Sequence, residues 1–315
     1  MKTAFVFPGQ GSQTIGMGKD LYDNFAAAKA VFQEVDDALQ QNLSGLMFAG
    51  EAEELNLTEN TQPALMAVSM AVMEVLRKEG NFDFIDKVSA VAGHSLGEYS
   101  AHAAVNTFSL ADTARLLKIR GQAMQKAVPV GVGSMAAILG LEMDQVKNIC
   151  LEASVEGQVV VSANDNSPGQ VVISGHKAAV AIAMEQATAL GAKRALLLPV
   201  SAPFHCPLMQ PAADAMQEAL ANVAVNIPDL PIYANITTRP VTDPDEIVKL
   251  LVQQVTGQVR WRETILQMAD DGFNNIIEVG TGKVLTGLNK RIADQPKYSN
   301  IGTPAEIEAF LSENS

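Results

Sequence analysis

Apolar positions along the chain follow two rhythms. Short unbroken runs, "TAFVF" at Thr3–Phe7, "KVSAVAG" ending at Gly93 and "NIIEVG" ending at Gly280, are too brief for helices and end at turn residues. Such runs predict strands buried on both faces. Apolar residues three and four apart predict helices over Ala26–Gln40, Thr61–Glu79, Leu110–Met124 and Asp245–Val255. Two further helices are expected in "GEYSAHAAV" and "KVLTGLNKR", and "PIYANIT" continues the pattern. Strands alternating with helices imply an α/β fold with a largely parallel sheet covered on both sides.

The middle of the chain has a different order. "GSMAAILGL" predicts a strand, Asp144–Ser154 a helix, and "QVVVSAND" and "QVVISG" two strands joined through Asn166-Ser167-Pro168-Gly169. "HKAAVAIAMEQATAL" then predicts a helix and "KRALLLPV" a last strand. This β-α-β-β-α-β order is that of a ferredoxin-like unit. It predicts an inserted subdomain at 130–199, within a core formed by 1–129 and 200–315.

Composition narrows the class. Of 315 residues, 48% are hydrophobic, enough for a sizeable core, and no apolar run approaches the ~18 residues of a membrane span. The N-terminal apolar stretch is too short for a signal peptide. The net charge of −13 argues against nucleic-acid binding, which needs a basic surface. The two cysteines, Cys150 and Cys206, form neither a disulfide framework nor a metal spacing. A soluble, cytoplasmic monomer without cofactor or metal is expected.

The candidate chemistry centres on "VAGHSLGEYSA". Here a predicted strand passes through Gly93-His94-Ser95-Leu96-Gly97 into a predicted helix, the context of a nucleophile elbow. A tight turn requiring small residues is the competing reading. A serine hydroxyl needs a base, and only four histidines are present. His94 adjoins Ser95 on a sharp turn and points elsewhere, His102 lies ~10 Å down the following helix, and His176 begins a helix of the inserted unit. His205, in "VSAPFHCPLM", is therefore the expected base. No acidic residue lies in its loop, so a backbone carbonyl is the candidate for orienting the imidazole. Leu96 heads the helix and offers an amide to a developing oxyanion. The loop "FPGQGSQ", with Gln10 between two glycines, offers a second, and it lacks the Gly-Lys-Ser/Thr of a phosphate loop.

"FVFPGQGSQ", "TQPAL", "GHSLGEYSA", "RGQAMQ", "GSMAAILG", "NSPGQVVISG", "PFH" and "EVGTGKVLTGL", in this order, closely resemble the malonyl-CoA:acyl carrier protein transacylases over essentially the whole chain. The resemblance implies an α/β-hydrolase-like core with an inserted ferredoxin-like subdomain. It implies an acyltransferase supplying fatty acid biosynthesis, in which malonyl passes from malonyl-CoA to a serine and then to the phosphopantetheine thiol of acyl carrier protein. Ser95 and His205 match the nucleophile and base, and Gln10 and Leu96 the oxyanion-hole residues. Arg120 matches the arginine that grips the malonyl carboxylate. Gln254, with Gln253 as the neighbouring alternative, aligns with the glutamine whose carbonyl orients the histidine. Gln62 and Asn164 resemble secondary pocket residues. Phe204 stands where some members have serine, the pattern of malonyl-selective domains, and Thr281 replaces a proline common in "EVGPG". Only Arg120 and Phe204 separate this reading from a relative using another acyl group. An acidic carrier protein needs local basic charge on this acidic chain, and Lys193, Arg194, Lys283, Lys290 and Arg291 are the candidate docking residues.

Overall fold

In a computed structural model describing residues 2–200 and 202–314, ten strands form two sheets. They are β1 (Thr3–Phe7), β2 (Ala90–Gly93), β3 (Gly133–Leu139), β4 (Val160–Ser167), β5 (Gln170–His176), β6 (Arg194–Leu197), β7 (Ile232–Tyr233), β8 (Pro240–Val241), β9 (Asn275–Val279) and β10 (Lys297–Ile301). The larger sheet runs β10-β9-β1-β2-β7-β8 and is parallel except for β8.

The unbroken apolar run of β1 is explained by what covers it. Phe5 and Phe7 enter one core, with the helices Ala26–Leu39, Thr58–Lys78 and Leu110–Lys126. Ala4 and Val6 enter another, with Trp261, Ile265 and Leu288 of the helices Trp261–Asp270 and Val284–Ile292. A strand coated on both sides cannot alternate apolar with polar residues.

The second sheet is antiparallel, in the order β4-β5-β3-β6. With helices Met143–Ala153 and Lys177–Ala189 it has the ferredoxin-like arrangement expected for this segment. Its strands alternate: Ala136, Ile138, Val171 and Ile173 pack on those helices, while Met135 and Val172 face the main core.

Several boundaries differ from expectation. The strand predicted from "KVSAVAG" begins only at Ala90, because Phe84–Lys87 is a helical turn capped by the Asp83 side chain. Asn166 and Ser167, expected in the β4–β5 connection, belong to β4, leaving Pro168-Gly169 as the turn. "PIYANIT" keeps only Ile232–Tyr233 as strand, since the Asn235 N–H leaves the ladder to donate to Glu98 Oε2 at 3.0 Å. The last strand of the inserted unit is Arg194–Leu197, shorter than "KRALLLPV". Helix Gln210–Leu220 and strand β10 gave no reading from periodicity.

Candidate active site

Three backbones meet beneath Ser95. A Cβ on Gly93 would lie 1.9 Å from the Gly97 carbonyl, and one on Gly97 would lie 2.2 Å from the Phe7 carbonyl oxygen. Both positions therefore exclude any side chain, which is the physical content of G-x-S-x-G. Ser95 caps the helix Leu96–Ala104 with φ 54° and ψ −110°, a conformation costly for a residue with a side chain. Its N–H is held by Asn235 Oδ1 at 2.8 Å, while Asn235 Nδ2 donates to the Gly93 carbonyl at 2.6 Å.

His205 also has positive φ, 57°, in the loop after β6. The Ser95 hydroxyl is 2.7 Å from His205 Nε2. His205 Nδ1 faces two carbonyls, Gln254 at 2.9 Å and Gly257 at 3.1 Å. Carbonyls only accept, so the ring proton sits on Nδ1 and the Nε2 lone pair accepts from the hydroxyl. Burial, and then the neighbouring Arg120 charge, push the imidazole pKa down to about 3, which keeps it neutral. The carbonyl of Gln254, not Gln253, faces the ring; that of Gln253 accepts the Gly257 N–H.

The other histidines are engaged elsewhere. His94 Nε2 pairs with Asn166 Oδ1 at 2.8 Å, and its ring packs on Trp261. His102 is buried against Thr107, and His176 Nδ1 accepts the Val159 N–H. Cys206 is buried, and burial raises its thiol pKa.

Arg120 is 1% exposed and makes no ion pair among the described residues. Nη1 donates to Gln62 Oε1 at 2.7 Å. Nη2 donates to Gln254 Oε1 at 2.9 Å and to Ser95 Oγ at 3.1 Å. Nε is buried without a partner among the described residues. A guanidinium satisfied only by neutral oxygens retains its full charge for an incoming anion. These groups open into a cleft of ≈ 290 Å³ lined also by Gln10, Leu96, Asn164, Phe204, Met135 and Leu288. As the first helical residue, Leu96 has no intrahelical acceptor for its N–H. No His, Cys, Asp or Glu cluster suited to a metal occurs among the described residues.

The candidate docking residues are all exposed. Lys290 and Arg291 ride on the helix whose Val284, Leu285 and Leu288 line the cleft, and Arg291 reaches Gln170 at its rim, 2.6 Å away. Arg194 lies on β6, just before the cleft residues Leu198 and Val200. Lys283 borders a separate cleft with Asp20 and Glu306.

Sequence reasoning missed Asn235, Asn166 and Glu98. Their side chains act on the elbow only through long-range contacts, and no spacing in the chain signals them. Glu98 and Asn166 both stood inside quoted motifs; for Glu98 the available signal was its apolar surroundings on the following helix.

A family model described as acyl transferase domain matches residues 4–303. The chain is 46% identical over 308 residues to the malonyl CoA-acyl carrier protein transacylase of Escherichia coli (strain K12), covering 98% of both chains. It superposes with a TM-score of 0.97 on the acyl-carrier-protein-S-malonyltransferase of Bartonella henselae, at 57% identity and 99% coverage of each. It also resembles, at TM-score 0.94, 41% identity and full coverage of both, a malonyl-transacylase solved in complex with its type II PKS acyl-carrier protein.

Proposed function

The chain belongs to the acyl transferase domain family, and from that premise we propose that it moves a malonyl group from malonyl-CoA to the phosphopantetheine thiol of acyl carrier protein through malonyl-Ser95. The observation that carries this reading is a buried, unpaired Arg120 within hydrogen-bond distance of a serine already bonded to a neutral imidazole. Such an arrangement suits a substrate with both a thioester and a free carboxylate.

Ser95 Oγ attacks the thioester carbon while its proton passes to His205 Nε2. The Gln254 and Gly257 carbonyls stabilise the imidazolium through Nδ1–H. The amides of Leu96 and Gln10 face the oxyanion. Collapse expels the coenzyme A thiolate, which takes the proton from His205, leaving malonyl on Ser95. In the second half-reaction the carrier thiol gives its proton to His205 and attacks the ester carbon; the bond to Oγ then breaks, and His205 Nε2 returns the proton to Oγ. Two carbonyls orient the base where hydrolases use a carboxylate, so the imidazolium is less stabilised and transfer to a strong thiol nucleophile is favoured over hydrolysis.

Arg120 binds the malonyl carboxylate, with Gln62 and Asn164 completing the pocket and Phe204 narrowing it beside the α-carbon. Residues 130–199 form an inserted subdomain that supplies one wall of the cleft. The carrier protein docks beside the cleft through Lys193, Arg194, Lys283, Lys290 and Arg291, and the enzyme works as a cytoplasmic monomer. Among the described residues no helix is long and apolar enough to cross a membrane.

The test is covalent. Malonyl-CoA without carrier protein should leave a malonyl adduct on the Ser95 peptide by mass spectrometry. Ser95→Ala should abolish it, and His205→Ala should slow both half-reactions by about 10²- to 10⁴-fold. An adduct persisting in Ser95→Ala would overturn the assignment.

A further inference from the structure

Glu98 is 1% exposed, has no ion-pair partner among the described residues, and its carboxyl group makes no direct hydrogen bond to Ser95, His205 or Arg120, although its backbone N–H donates to the Ser95 carbonyl at 3.0 Å. A carboxyl group in that position carries a desolvation penalty that nothing in the reaction scheme above repays. Its two contacts explain its place. One oxygen, Oε2, accepts both the Asn235 N–H at 3.0 Å and Gln254 Nε2 at 2.8 Å.

Those two partners together hold every reacting group. Asn235 Oδ1 fixes the Ser95 N–H, and Gln254 Nε2 donates to the Ser95 carbonyl at 3.0 Å. Gln254 Oε1 holds Arg120, and the Gln254 carbonyl holds His205. The Gln254 amide nitrogen has three acceptors around it, and Glu98 is the nearest. Because a carboxylate only accepts, it turns the NH₂ end of that amide toward itself and leaves Oε1 for Arg120.

We propose that Glu98 is a positioning residue that sets the Ser95–His205–Arg120 geometry through Gln254 and Asn235. The inference rests on the acyl-transfer reading. It says that the nucleophile, the base and the carboxylate-binding arginine are registered against one another by a single buried oxygen.

The experiment follows acylation of Ser95 at saturating malonyl-CoA and acetyl-CoA in the unsubstituted protein and in Glu98→Ala, Glu98→Gln and Glu98→Asp. Glu98→Ala removes both contacts, so malonyl acylation should fall about 10- to 100-fold, the scale of a small misplacement of reacting groups. The malonyl-to-acetyl ratio should fall with it, because Arg120 loses its hold, whereas mere loosening of the fold would lower both substrates alike. Both contacts converge on one oxygen, which a glutamine amide oxygen reproduces, so Glu98→Gln should recover to within about 5-fold of the unsubstituted protein. Glu98→Asp keeps the charge but is one methylene short, and should be slower than Glu98→Gln. The proposal is overturned if folded Glu98→Ala acylates with unchanged rate and ratio, or if Glu98→Asp outperforms Glu98→Gln. Should Glu98→Ala fail to fold, that last comparison decides alone. If the unsubstituted protein takes no malonyl at Ser95, the acyl-transfer reading fails instead, which is a distinct outcome.

Discussion

In the proposed function, Arg120 is the residue at which burial turns into selectivity. Its guanidinium rests on the side-chain oxygens of Gln62, Gln254 and Ser95, none of them charged. A malonyl carboxylate supplies two parallel charge-assisted bonds, while an acetyl group leaves the charge buried and unpaired. Leaving a buried charge without its partner costs roughly 2–5 kcal/mol, a preference between about thirty-fold and several thousand-fold. Arg120→Ala should therefore lose malonyl loading sharply while holding or improving acetyl loading, measured as initial acylation rates on both substrates. Arg120→Lys should recover only part of the preference, because a point charge cannot reproduce the fork. That Ser95, His205 and Arg120 meet was legible because each sits in a short contiguous motif, and with four histidines elimination left His205 as the expected base. Asn235 and Glu98 stayed hidden because their meaning lies in contacts 137 residues apart in sequence.

At the scale of elements, the helix Val284–Ile292 serves two surfaces. Its buried stripe, Leu285 and Leu288, forms cleft wall and core, and its first turn is fixed by buried Glu278, which accepts from the Leu285 and Thr286 N–H groups. Lys290 and Arg291 project from its last turn, where positive charge also suits the helix dipole. Replacing both with Glu should weaken transfer to carrier protein about 10-fold or more while leaving loading from malonyl-CoA nearly intact. Half-reactions assayed separately would check this, and equal losses in both would remove the docking role. Strands buried on two faces and several amphipathic helices were readable from periodicity, but the amphipathic helices Gln210–Leu220 and Trp261–Asp270 were not read. Strand β10 was not, because Lys297, Ser299 and Asn300 interrupt its apolar pattern at the sheet edge. Asn166 was read as loop because its residue type favours turns, yet in β4 its side chain meets His94.

For the whole molecule, buried ionisable groups give stability two opposing pH dependences. His102 and His205 are held at about 3 by burial, below the 6.5 of an exposed histidine. Their contribution is complete above pH 6.5 and is lost as pH falls toward 3, because the unfolded chain takes up protons first. Glu98 behaves oppositely: burial raises it from 4.5 to about 7, so its contribution is complete below 4.5 and lost as pH rises through 7. Glu98→Gln removes only the second trend. Its stability relative to the unsubstituted protein, from urea unfolding, should improve by up to about 3 kcal/mol between about pH 4.5 and 8.5, while acid unfolding stays as it was. A flat difference would show that the carboxyl titrates normally in the fold. The glycines beneath Ser95 have a mechanical consequence. Where Gly93, Gly97 and Phe7 touch, backbone rests on backbone, and no rotatable side chain lies between them to yield under load. Moving the Ser95 backbone therefore means moving β1 and β2 with it, which ties the proposed nucleophile to the two central strands of the sheet. His205, by contrast, is placed by a loop, and its ring is steadied by the Gln254 and Gly257 carbonyls.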